Sequence, residues 1–304
     1  MNNLDNSRPV AGVFWMVITG LMFVLVTAMV KYMGPRIPSA EAAFLRYILG
    51  LALLVPMLPS VFRARITRSQ LGLFTARGLA HSLGVWAWFF AMARIPIADV
   101  TAMNYLSPIY VTIGAALFLG EKLAFRRIAA VVMALIGALI ILRPGFRDIG
   151  PGHYAMLAAA LVFSASYLLG KLLTDQTSPA VAVVMLSVVV PVGLAPLAIS
   201  VWITPTMVEL ALLMGVAIFA TTGHFTMGLA FKAAPLTVTQ PVTFLQLVWA
   251  VTLGALMFGE PADIWVVVGG VVIMSSVLFI TLREAALKRR MRRPVPLVGT
   301  HSQV

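Results

Sequence analysis

Cysteine is absent from the 304 residues, and only 10 acidic residues stand against 22 lysines and arginines. The first absence excludes disulfides and thiolate metal sites, and leaves the redox compartment open. Charge of either sign is scarce: 11% of the chain is charged and 61% is hydrophobic, whereas a soluble domain carries about 25% charged residues. No polar stretch is long enough for a soluble catalytic domain or a low-complexity linker, the longest being the tail after Arg283. Nor is there a phosphate-cradling glycine loop ending in Lys-Ser or Lys-Thr, which argues against a nucleotide-driven pump. No enzyme activity is expected, and the function must lie in helices and their short loops.

What fills the chain instead is apolar runs, with a mean hydropathy of +1.00. A helix needs roughly 20 residues to cross the hydrocarbon core of a bilayer. Ten runs meet that need, at 12–33, 40–59, 71–93, 97–119, 126–143, 153–174, 179–201, 207–231, 236–258 and 264–282. The first is too long for a signal peptide and no small-residue cleavage site follows it, so it reads as a membrane anchor. The sequence thus predicts an all-α integral membrane protein.

The second half repeats the first. A single offset of 139 residues places Ile95-Pro96 on Ala234-Pro235 and Gly120-Glu121 on Gly259-Glu260, and an offset of 140 places Lys31 on Lys171 and Pro56 on Pro196. Five helices per copy is an odd number, so the second copy enters the membrane inverted. The expected organisation is one five-helix repeat over 12–143, an inverted one over 153–283, and a basic tail over 284–304. Inverted repeats of this kind are a feature of secondary transporters.

Lysines and arginines near helix ends are retained on the cytoplasmic side. They cluster at Arg63–Arg68, Lys122–Arg127 and Arg283–Arg293, which predicts cytoplasmic N- and C-termini in an inner, plasma membrane. The net charge of +12 is thereby a topology signal, with an affinity for anionic lipid headgroups. It does not point to nucleic acid, for which a folded basic surface with a motif is wanted.

Four motifs carry a resemblance. Ala93-Arg94-Ile95-Pro96, Tyr105-Leu106-Ser107-Pro108 and Phe118-Leu119-Gly120-Glu121-Lys122 are echoed by Ala233-Ala234-Pro235, Phe244-Leu245-Gln246-Leu247 and Met257-Phe258-Gly259-Glu260, and helix 2 carries Ala42-Ala43-Phe44-Leu45-Arg46-Tyr47. Together these resemble the EamA-type proteins of the drug/metabolite transporter superfamily over residues 12–283. The sequence departs from the pattern at Leu247, opposite Pro108, and at Pro261, after Glu260. The resemblance implies a ten-helix carrier working by alternating access through a central cavity, usually as an exporter of small metabolites.

Polar groups inside a bilayer are costly unless they face protein or water, so they mark the expected cavity. Arg77, His81, Gly84 and Trp88 recur at helical spacing on helix 3 and share a face. Arg77 either meets an anionic group or snorkels to the nearby surface, and His81 donates and accepts hydrogen bonds. On helix 4, Thr101, Tyr105, Pro108 and Thr112 form a stripe, and Pro108 frees the carbonyl of Asn104. Gln240 and Phe244 hold the matching positions in the second repeat, so both walls pair a hydrogen-bonding group with a ring. Tyr167 on helix 6 and His224 on helix 8 complete the expected lining. Two isolated histidines without a carboxylate lack the ligand count of a metal site, and neither metal nor cofactor is expected.

Glu121 and Glu260 end helices 4 and 9 at opposite surfaces and read as structural pins or gates. Glu41 and Arg46, close together near the outer end of helix 2, read as structural or gating groups, Glu41 also as a candidate for a coupling proton. The expected cargo is a small amphipathic metabolite, an amino acid or related amine first. S-adenosylmethionine or another cation is the alternative, although Arg77 would repel it. A lipid scramblase or a membrane enzyme is the competing class. Oligomeric state is open.

Overall fold

A computed structural model describes residues 8–118, 125–174 and 177–291 and is helical throughout its membrane part. The first repeat comprises α1 (Pro9–Met33), α2 (Ser39–Leu51, continued through a 3-10 turn Ala52–Met57 and a short helix Leu58–Arg63), α3 (Arg68–Met92), α4 (Ile97–Asn104 and Ser107–Phe118) and α5 (Phe125–Leu142). The second comprises α6 (Pro151–Thr174), α7 (Pro179–Ser200), α8 (Met207–Ala233), α9 (Leu236–Val242 and Phe244–Phe258) and α10 (Ile264–Met291). Among the described residues, nine of these spans are long and apolar enough to cross a membrane. The tenth, α3, falls short of that hydropathy because Arg68, Arg77 and His81 interrupt it.

Three expectations change. Helices 4 and 9 are each broken in mid-membrane. The first breaks at Tyr105-Leu106, just ahead of Pro108, and the second at Thr243, two residues past Pro241. Proline withholds an N–H and crowds the preceding turn, and neighbouring helices can satisfy the groups it frees. The last helix runs on to Met291, so the boundary at residue 284 does not separate helix from tail. Glu121 lies outside the described residues, as do 292–304.

Helix pairing displays the two-fold relation of the repeats. The helix α1 packs on α8 as α6 packs on α3, while α5 pairs with α10 and α2 with α7. Glycines permit these approaches. A Cβ on Gly84 of α3 would lie 2.7 Å from the Phe163 ring of α6, and one on the matching Gly223 of α8 would lie 3.3 Å from Met22 of α1. At the crossing of α5 and α10, a Cβ on Gly137 would meet the Gly269 carbonyl at 2.8 Å.

Capping repeats the relation as well. Thr67 and Gln70 form a capping box at the start of α3, and Thr206 and Glu209, each 139 residues on, form one at the start of α8. Each box satisfies two otherwise orphaned backbone N–H groups. The two copies sit at opposite membrane faces, as inversion demands.

The face carrying the α1–α2 loop is tied shut by charge. Lys31 at the end of α1 pairs with Glu260 at 2.5 Å and donates to the Ile95 carbonyl at 2.8 Å, while Glu260 also accepts the Ile97 N–H at 2.9 Å. Gly259, at φ +63°, turns the chain so that this carboxylate points back into the bundle. On the same face Arg36 pairs with Glu209, Arg143 with Asp263, and Arg147 with Asp99 at 2.5 Å; His153 also reaches Asp99, at 3.1 Å. All ion pairs between two described residues lie here.

Candidate functional site

A cavity of about 240 Å³ lies at the centre of the bundle, between the two repeats. On α2 its lining comprises Arg46 and Tyr47, two turns in from the start of the helix, or about 10 Å at 1.5 Å per residue. It runs to Phe231, within a turn of the end of α8 at the opposite face. Both broken helices contribute: Asn104, Tyr105, Ser107 and Pro108 from one break, Gln240, Thr243 and Gln246 from the other. Substrate sites in inverted-repeat carriers form at such discontinuities near the bilayer midplane.

The wall made by α3 and α6 is aromatic. Phe163 lies 6.2 Å from Trp88, ring centre to ring centre, and stacks on Tyr167 at 6.3 Å, with His81 tilted against it at 4.9 Å. Facing it, His224 meets Phe23 of α1 edge-on at 5.1 Å. Tyr105 donates its hydroxyl to the Thr243 carbonyl at 3.0 Å, joining the two breaks. Thr19 and Thr226 hydrogen bond at 2.9 Å across the α1–α8 seam.

Charge in the cavity is one-sided. Arg46 is 7% exposed, stacks on Tyr47 at 4.1 Å, and has no hydrogen-bond or ion-pair partner among the described residues. No aspartate or glutamate is among the described lining residues. The indole N–H of Trp88 and the hydroxyl of Ser107 also lack partners. An unpaired guanidinium in a low-dielectric site is costly, so a solute that brings acceptors is favoured there.

Of the residues singled out from sequence, His81, Trp88, Tyr105, Pro108, Tyr167, His224 and Gln240 line this cavity. Arg77 does not line it. Its guanidinium packs on Gly170 of α6, with its Nε buried and unpaired, within electrostatic reach of Tyr167. Thr101 is buried and spends its hydroxyl on the Ile97 carbonyl at 2.9 Å, and Phe244 packs into the core. The helix 4 stripe leaves the cavity one turn before Tyr105, where the first half of α4 packs against α6, α9 and α10 and buries Thr101.

Glu41 is fully buried and accepts the Ile203 N–H at 2.8 Å, which ties α2 to the α7–α8 loop. Glu260 is the pin described above. Arg46, read from sequence as structural or gating, is the cationic group of the cavity. Sequence reasoning missed Tyr47 and Gln246, and marked Asn104 for its freed carbonyl alone. Phe163 had a signal in its spacing of four from Tyr167; Gln246 had none beyond being an amide in an apolar run.

A profile described as the EamA-like transporter family matches residues 10–143 and again 150–282, one match per repeat. A riboflavin transporter of Rhizobium johnstonii is 32% identical over 294 residues, covering 96% of this chain and 96% of its own length. An S-adenosylmethionine uptake transporter of Rickettsia prowazekii is 26% identical, covering 90% of this chain and 93% of its own. A solved structure matches with a TM-score of 0.60 at 18% identity, covering 94% of this chain and 100% of that one, and so shares the fold.

Proposed function

This chain belongs to the EamA-like transporter family, and we propose that its cargo is a flat, aromatic metabolite, uncharged or anionic, with riboflavin the first candidate. It is a multi-pass membrane transporter of a small metabolite. The observation that carries the finer reading is the composition of the cavity: aromatic rings at Trp88, Phe163, Tyr167 and Tyr105, amides at Asn104, Gln240 and Gln246, one free guanidinium at Arg46, and no carboxylate among the described lining residues. A flat ring system stacks on such walls, and its carbonyls and ring nitrogens meet the amides. The likeness to a riboflavin transporter supports this choice.

A sulfonium cation fits less well. S-adenosylmethionine has one carboxylate against an ammonium and a sulfonium, so it would bring a net positive charge beside Arg46 with no acid among the described lining residues to offset it, a like-charge contact of the kind that costs affinity. An aromatic amino acid is the second reading, because its carboxylate would pair with Arg46 while its ring stacks on Phe163 or Trp88.

The carrier stands in the state sealed at the α1–α2 face, with the cavity reaching towards the N-terminal face. The positive-inside distribution supports a cytoplasmic assignment for that second face, and with it a carrier of the inner membrane that stands open inward. Transport proceeds by alternating access: the broken helices hold the solute while the repeats rock around it. The two-fold relation makes the two access states alike, so net direction follows the gradients of the solute and of any coupled ion.

A thermal-stability screen of detergent-purified protein tests the cargo, because a ligand that binds only the folded state raises the melting midpoint. Riboflavin is expected to raise it, aromatic amino acids less so, and S-adenosylmethionine not at all. A rise with S-adenosylmethionine alone, or only with phospholipids, contradicts the reading.

A further inference from the structure

His81 lies deep on α3, 6% exposed, and its Nδ1 sits 3.3 Å from the Ser166 hydroxyl of α6. The same hydroxyl donates to the Arg77 carbonyl at 3.2 Å. A serine hydroxyl has one proton and two lone pairs. With its proton committed to the carbonyl, the contact to His81 is a hydrogen bond when Nδ1 carries the imidazole proton. In the uncharged ring that leaves Nε2 as a bare acceptor. No described group hydrogen bonds to it, and His81 lines the cavity.

Arg46 lines the same cavity with the opposite polarity. Its stack on Tyr47 orients the plane of a guanidinium whose donors have no acceptor among the described residues. A guanidinium presents N–H groups in a fixed fork and has no acceptor, and His81 Nε2 has no donor. One ligand feature satisfies both: a ring carbonyl beside a ring N–H, in a molecule flat enough to lie on Phe163 and Trp88.

We propose that Arg46 and His81 together read the cyclic imide or lactam edge of the solute, Arg46 donating to the ring carbonyl and His81 Nε2 accepting from the adjacent ring N–H. This rests on the flat-solute reading above and narrows it to heterocycles that carry that edge, such as pyrimidinediones, pteridinediones and flavins. Ser166 is a positioning residue, since it fixes the tautomer of His81 without touching the solute. Flat hydrocarbons are disfavoured because they leave the guanidinium unpaired, and net cations because they add positive charge beside it.

The test uses riboflavin and its N3-methyl derivative, which keeps the ring and loses the imide proton, with binding followed by flavin fluorescence on the purified full-length chain. Wild type is expected to prefer riboflavin on the order of 10–100-fold, the effect of leaving one buried hydrogen-bonding group unmatched. In His81→Phe that preference should fall to about onefold, because the acceptor is gone. His81→Gln, which keeps an acceptor, should retain part of it, and Arg46→Gln should weaken both flavins about tenfold or more. Monodisperse elution and an unshifted melting midpoint confirm that each variant folds, and His81→Gln decides the matter if His81→Phe does not.

Equal binding of the two flavins by wild type, or a preference that survives His81→Phe, overturns the imide reader while leaving the flat-solute reading intact. Binding of neither flavin overturns the flat-solute reading, and the imide reader with it.

Discussion

The Tyr105 hydroxyl donates to the Thr243 carbonyl at 3.0 Å, and this one bond joins the break in α4 to the break in α9. Under the 139-residue offset Tyr105 matches Phe244 and Thr243 matches Asn104, so the bond runs close to the axis relating the repeats. Phe244 has no hydroxyl to return the bond, and the pair is therefore a one-way tie across the cavity floor. Tyr105→Phe removes it and keeps the ring. Stability should fall by about 1 kcal/mol, the usual net value of such a bond, and transport should slow while riboflavin binding changes little. A melting midpoint and a transport rate both equal to wild type would show the tie to be idle.

Glu260 should act as the latch of the sealed face. Glu260→Gln keeps an acceptor for the Ile97 N–H and loses the charge that pairs with Lys31. The sealed state then loses stability relative to its opposite, and a shift of about 1.4 kcal/mol changes the ratio of states tenfold. Because the chain has no cysteine, a single Met227→Cys in the cavity reports access cleanly. Labelling from the N-terminal side should slow in the Glu260→Gln background. An unchanged rate would remove Glu260 from the gate.

Gly84 should be intolerant where Gly72 is not. A Cβ at Gly84 lands 2.7 Å from Phe163, whereas one at Gly72 meets nothing within 4 Å. Gly84→Ala must displace the central ring of the aromatic wall, at a cost of about 1–3 kcal/mol, and should weaken binding of a flat solute as well. Gly72→Ala on the same helix should be neutral or slightly stabilising. Equal midpoints for the two variants would place Phe163 elsewhere.

Much of this architecture is legible in the sequence, for identifiable reasons. Apolar runs bounded by basic clusters fix the spans, and the offset of Pro96 onto Pro235 and Glu121 onto Glu260 gives the inverted repeat. The same offset relates Thr67 and Gln70 to Thr206 and Glu209, a capping signal present in the sequence that composition alone does not draw attention to. His81, Trp88, Tyr105, His224 and Gln240 are polar or amphipathic groups at mid-membrane depth, and the cost of burying them points to the cavity.

The remainder depends on three-dimensional facts that spacing does not carry. Packing of the first half of α4 against α6, α9 and α10 buries Thr101 away from the cavity, and a helical stripe cannot show where neighbouring helices close over it. Arg77 and Arg46 are equally charged on paper. Packing of Gly170 against one guanidinium and of Tyr47 beneath the other decides which lines the cavity. Phe163 becomes the centre of the wall only because Gly84 on a distant helix makes room for it.

The most direct test of the central claim is counterflow in proteoliposomes: purified protein reconstituted with a high internal concentration of unlabelled riboflavin, and uptake of labelled riboflavin from outside. The account predicts rapid transient accumulation that is lost in Arg46→Gln and unaffected by external S-adenosylmethionine. No accumulation of riboflavin, with accumulation of S-adenosylmethionine under the same conditions, would contradict it.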